Sequence, residues 1–177
     1  DLTNLRRIAG TGYPGYSGES GAALEMALTY PMDVEVDAAG NVYISDGGNS
    51  RVRRVTPAGQ LTTVAGTDWE NGLAFANGMQ ATGYFMGPWG LRLAPNGDLY
   101  IADVENHRVV RVTPGGTLHA VAGTGTPGFG GDGGQATSAN LNAPSAIDFD
   151  AAGGIYIADW GNNRLRKVDR AGVITTF

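Results

Sequence analysis

Between residues 31 and 66 the chain reads as four short, mostly apolar stretches separated by turn formers. The stretches are MDVEV (32–36), VYIS (42–45), RVRRV (51–55) and LTTVA (61–65), rich in Val, Ile and Thr. A period near two with β-branched residues predicts strands. DAAGN (37–41) and TPAG (56–59) lie between them, each with a glycine where a tight turn needs positive φ. No segment sustains the 3.6-residue period of an amphipathic helix.

The pattern recurs. Pro31, Pro88 and Pro144 open equivalent segments at spacings of 57 and 56 residues. YISDGGNSRVRRV from Tyr43 returns as YIADVENHRVVRV from Tyr100 and as YIADWGNNRLRKV from Tyr156. Four antiparallel strands in a unit of about 40–57 residues predict a propeller blade, and such a thin sheet is stabilised by stacking on neighbours. The expected architecture is therefore all-β, a β-propeller with three four-stranded antiparallel blades per chain. Residues 13–67 form a loop and blade 1, residues 68–124 a loop and blade 2, and residues 125–177 a loop and blade 3. LRRIAGTG (5–12) aligns with LTTVAGT (61–67), so residues 1–12 are expected to be the outer strand of an incomplete preceding blade. Long glycine-rich loops (10–31, 66–88, 123–144) join the blades, and loops of that length are commonly functional or packed on themselves.

Composition narrows the chemistry. The 29 glycines and the 16% of charged residues fit many tight turns. Cysteine is absent, which removes disulfide and thiolate chemistry. No apolar run approaches the roughly 18 residues of a membrane span, and the first residues lack the apolar centre of a signal peptide. The net charge of −5 does not favour a phosphate-binding face. Eight of the twelve Lys and Arg residues fall inside the three copies of the Tyr43 motif. Only Val and Leu lie between them, without the aromatics of a single-stranded RNA platform, so nucleic acid is not the expected partner.

The string P-x-x-φ-x-φ-D-x-x-G-x-φ-Y-I-[AS]-D-x-x-N-x-R-φ-x-[RK]-V (φ apolar), followed by TTVAGT, resembles the NHL-repeat family of β-propellers. The segment ENHRV (105–109) lies close to the tripeptide that names the family, and GTPGFGGDGGQATSANLNAPS (125–145) resembles loops of bacterial members. The resemblance implies closed rings of six blades, sometimes five. Three blades leave a ring open, and open blade faces are association surfaces. The resemblance therefore implies that two chains combine as a homodimer into a six-bladed ring. Secretion or a periplasmic location is slightly favoured by the look of the loops.

The repeated triplets Asp46–Asn49–Arg51, Asp103–Asn106–Arg108 and Asp159–Asn162–Arg164 occur in every unit. They are best explained as a fastening, because Asp and Asn side chains satisfy backbone groups in turns. The third-strand bases are expected toward the outer part of each blade, paired with acids such as Asp37 or Asp150. His107 and His119 are too few for a multi-histidine metal site. Residues that differ between copies are the better ligand candidates: Glu35, Arg92 and Asp148 on the innermost strands, and Trp69, Trp89 and Trp160 toward the loop face. The alternative for the three charged residues is pairing of Glu35 or Asp148 with Arg92 between blades. Aromatics with a polar rim are recognition chemistry. The expected role is a non-enzymatic scaffold for a protein, peptide or glycan ligand, with no catalytic residues and no cofactor. The alternatives are a propeller lyase or hydrolase with a metal such as calcium in the central channel, and a structural module of a larger extracellular array.

Overall fold

The structure is a computed structural model that describes residues 5–70 and 72–177. Thirteen strands run in chain order: β1 (Ser20–Ala22), β2 (Pro31–Val36), β3 (Val42–Asp46), β4 (Arg51–Val55), β5 (Gln60–Gly66), β6 (Pro88–Leu93), β7 (Leu99–Asp103), β8 (Arg108–Val112), β9 (Leu118–Ala122), β10 (Pro144–Phe149), β11 (Ile155–Asp159), β12 (Arg164–Val168) and β13 (Ile174–Thr176). They form three antiparallel sheets. Blades 2 and 3 have four strands each, in sequence order. Blade 1 has five, in the order β1-β5-β4-β3-β2.

Each blade is built by the same local rules. At the first hairpin, Asp37 accepts the amides of Ala39 and Asn41, and Gly40 takes φ +81°. The side chain caps the turn and the glycine reverses it. Each inner strand carries a register shift just after its proline. The expected strand positions and the three-blade plan are present.

The loops are structural wedges. Two apolar cores lie between blades, each drawing on three sources. Val52 and Ala65 of blade 1 meet Ala81, Tyr84 and Met86 of the loop and Leu91, Ile101 and Leu118 of blade 2. Val109 and Ala122 of blade 2 likewise meet Ala136, Ala139 and Leu141 of the next loop and Ile147, Ile157 and Ile174 of blade 3. A third core holds Ala23 and Met26 of the first loop with Ile44, Val55 and Leu61 of blade 1.

Two expectations change. Residues 5–12 adopt no strand, and residues 1–4 of that segment lie outside the described residues. An outer strand needs a third strand to bond to, and none is offered to it among the described residues. Its end is nonetheless placed as the alignment implies: the Gly10 amide donates to Ala23 O as the Gly123 amide donates to Ala136 O. The outermost strand of blade 1 is instead β1, which pairs with β5 from Ser20 to Ala22.

The basic third strands are the second change. Arg51, Arg53 and Arg166 are buried rather than turned outward, while Arg164 is exposed. Lys167 pairs with Asp150 at 3.0 Å as expected. Asp37 caps its own turn, and the main acid partners are Glu19, Asp46, Asp98, Asp132 and Asp159.

Candidate functional site

The repeated triplet joins three elements. Asn49 Nδ2 donates to both carboxylate oxygens of Asp46 and to Gly15 O, at 2.8–3.0 Å. Asp46 also accepts the Thr29 amide at 2.7 Å. The 2–3 turn is thus tied to the wedge loop before the blade. Asn106 and Asp103 repeat this with Phe85 O and the Gly87 amide, and Asn162 and Asp159 with Gly128 O and the Asn142 amide. The motif arginine lies on the other side of the turn. Arg51 Nη1 and Arg164 Nη1 donate back to the carbonyls of Asn49 and Asn162.

The buried aspartate is balanced in two ways. In blades 1 and 3 an arginine two residues further along the third strand approaches it: Arg53–Asp46 at 3.5 Å and Arg166–Asp159 at 3.3 Å. Blade 2 has Val110 at that position, and Tyr84 Oη from the wedge loop donates to Asp103 at 2.8 Å instead. The loop acids change with it: Asn77 stands where blades 1 and 3 have Glu19 and Asp132. Burial raises the Asp103 carboxyl to about 6 against the hydrogen bonds that favour its charge. Burial also raises Asp46 and lowers Arg53. For Glu19 burial pushes upward, but bonds from Arg51, Thr63 and Tyr16 outweigh it and hold the carboxyl at about 2. These groups face one another between loop and strand, so they serve the blade.

His107 is part of a blade junction. Its Nδ1 accepts the Ala143 amide at 3.0 Å, and burial lowers its pKa. Its role is that of a neutral acceptor.

The residues that differ between copies gather at the axis. Arg92 reaches Glu35 at 3.1 Å on one side and Asp148 at 3.0 Å on the other. One guanidinium therefore spans the inner strands of all three blades. The Asp33 carboxylate accepts the Leu91 amide at 2.7 Å, a second link between inner strands. The space between the two carboxylates is held by the chain's own cation. Among the described residues no group of three or more His, Cys, Asp or Glu side chains is placed to hold a metal ion.

At one mouth of the axis lies a cleft of about 280 Å³, lined by Met32, Asp33, Trp89, Gly90, Ser145 and Ala146. Trp89 continues into Trp160, with ring centroids 5.7 Å apart and planes tilted by 36°. Trp160 is exposed. It occupies the turn position held by Gly47 and Val104 in the other blades. Trp69 stands apart, edge-on to Phe85 at 5.2 Å, over a separate cleft that includes Phe75 and Arg108. Sequence reasoning did not single out Met32 and Ser145. Both directly follow the inner-strand proline, as Trp89 does, and that shared offset is the signal that would have found them. Tyr30 was also missed. It is exposed and holds φ +47°, as Ala143 does at φ +49° before the proline of blade 3.

Comparison with known proteins gives the following. The family model for the NHL repeat matches residues 85–112, and that for the teneurin NHL domain matches residues 118–177. Chicken (Gallus gallus) teneurin-1 is 30% identical over 172 residues, covering 89% of this chain and 6% of that protein. The chain thus spans a small fraction of its teneurin relatives. Among solved structures, an auxiliary nutrient binding protein from Bacteroides thetaiotaomicron is 25% identical with a TM-score of 0.60, over 81% of this chain and 36% of that one. Virginiamycin B lyase from Staphylococcus aureus is 19% identical with a TM-score of 0.59, over 86% of this chain and 43% of that one. At that identity the likeness concerns the fold alone.

Proposed function

The chain belongs to the NHL-repeat β-propeller family, and we propose that it is a binding scaffold whose ligand rests on the mouth of the axis. The observation that carries this reading is the Trp89–Trp160 pair bordering the cleft between inner strands. An exposed tryptophan in a turn where the other blades have Gly47 and Val104 adds nothing to the repeat. Rigid aromatic surface beside polar groups such as Asp33 and Ser145 suits a peptide, a protein loop or the face of a sugar ring. The Bacteroides neighbour, described as a nutrient-binding protein, lends the same class of role to the fold.

The reading includes a ring of six blades built from two chains. It assigns no metal to the axis, because Arg92 fills the space a channel cation would take. Calcium is then expected to leave the melting temperature unchanged.

The test is a screen of glycan and peptide arrays with the labelled chain, followed by titration of the hits. Trp89→Ala and Trp160→Ala are each expected to weaken binding at least about tenfold, the cost of losing a central aromatic anchor. Trp69→Ala is expected to leave binding unchanged. Hits that survive both mouth substitutions would reject the mouth as the site.

A further inference from the structure

In each blade a basic residue of the third strand stands beside the tyrosine of the second: Arg54 opposite Tyr43, Arg111 opposite Tyr100 and Lys167 opposite Tyr156. Two of these bases have an acid from their own blade. Arg111 pairs with Asp98, and Lys167 pairs with Asp150 at 3.0 Å. Blade 1 supplies neither acid. Asn41 stands where blade 2 has Asp98. Asp37, the counterpart of Asp150, accepts Asn41 Nδ2 at 2.7 Å and the amides of its own turn. Arg54 is therefore without an acid among the described residues. Its Nε is buried and has no hydrogen-bond partner, and the Tyr43 phenol lies beside the guanidinium.

This unmatched cation lines a cleft of about 260 Å³ between blades 1 and 2. Tyr43 and Val64 of blade 1 form one wall, and Leu99, Val112 and Pro114 of blade 2 the other. Thr82 of the wedge loop is exposed at the rim. Arg54 is the only charged residue among those that line the cleft. Both walls belong to one internal junction, and the cleft shares no lining residue with the mouth of the axis.

We propose that this cleft binds a small aliphatic monocarboxylate, with its carboxylate on Arg54 and its chain against Val64, Leu99 and Val112. A partly buried charge is unfavourable unless it is paired. The ligand supplies to blade 1 what Asp98 and Asp150 supply within blades 2 and 3. The planar fork of a guanidinium matches a carboxylate. One cation balances a single negative charge, which disfavours a phosphate dianion. The apolar walls take up methylene groups. The cleft is smaller than the roughly 300–1,000 Å³ of common ligand pockets, which restricts the ligand to a short chain.

The test is an NMR titration of the isotope-labelled chain with hexanoate, hexanol and inorganic phosphate in parallel. Hexanoate is expected to saturate with a Kd on the order of 1 mM, moving the amides of Thr82, Leu99, Val112, Gly115 and Gly116. Hexanol, which lacks the charge-assisted bond, is expected to bind at least about tenfold more weakly. Phosphate is expected to leave these amides in place. Arg54→Gln breaks no ion pair among the described residues, so it is expected to keep wild-type circular dichroism and to weaken hexanoate at least about tenfold. Trp160→Ala is expected to bind hexanoate as the wild type does. Four results would overturn the proposal: no saturable shift at these amides, hexanol or phosphate binding as tightly as hexanoate, a folded Arg54→Gln that binds unchanged, or loss of hexanoate in Trp160→Ala. The hexanol and phosphate arms are read on the wild type, so they decide the matter whether or not Arg54→Gln folds.

Discussion

At the residue scale, the three copies show two solutions to one problem. A buried aspartate is needed to hold the 2–3 turn, and its charge has to be met. Blades 1 and 3 use Arg53 and Arg166, while blade 2 uses the Tyr84 phenol beside an apolar Val110. The exchange has a pH signature. Folded Asp103 keeps its proton up to about pH 6, whereas an unfolded aspartate releases it near pH 4. Between those values the folded state binds more protons, so stability falls as pH rises from about 4 to about 6 and is level above that. That difference corresponds to ~3 kcal/mol. Asp103→Asn keeps an acceptor for the Gly87 amide and is expected to remove that slope, read from urea midpoints between pH 4 and 7. Glu19 acts in a separate window. Held at about 2, it contributes stability above pH 4 that is lost as pH falls toward 2. A second expectation concerns Arg53. Arg53→Val leaves the Asp46 carboxylate without its cation, and breaking one side of a buried pair costs about 3 kcal/mol. Thermal and urea unfolding would report it. RVRRV suggests paired bases, but not which acids meet them or that Arg51 and Arg53 are buried. The wedge loop that buries two of them is distant in sequence, and nothing local announces it.

At the scale of elements, the strands were readable and the loops were not. Strand spacing, turn glycines and proline positions are local, and they repeat three times. The triplet reads as a fastening, but what it joins was not evident from the sequence. Asn49, Asn106 and Asn162 each reach across a long loop to a carbonyl of the wedge. Asn106→Ala is therefore expected to loosen two elements together. It removes the bonds to Asp103 and Phe85 O, with a cost of about 1–3 kcal/mol for leaving buried acceptors unmet. Hydrogen exchange should show faster opening in both the 103–107 turn and the 81–86 segment; exchange confined to the turn would deny the coupling. The close approach of loop to strand also explains an invariant of the repeat. A Cβ on Gly66 or Gly123 would stand 2.1 or 2.5 Å from the carbonyl oxygen of Ser50 or His107. Residues 5–12 show the limit of alignment: the side chains match an outer strand, but a strand exists only where a partner offers hydrogen bonds.

At the scale of the molecule, the inner strands carry a charge order. Within the chain the order is Glu35, Arg92, Asp148, and each acid faces the arginine. The charges were legible in the sequence because they differ between copies. An acid–base pairing between blades was legible too; that one guanidinium meets both acids depends on three strands more than fifty residues apart meeting at one axis.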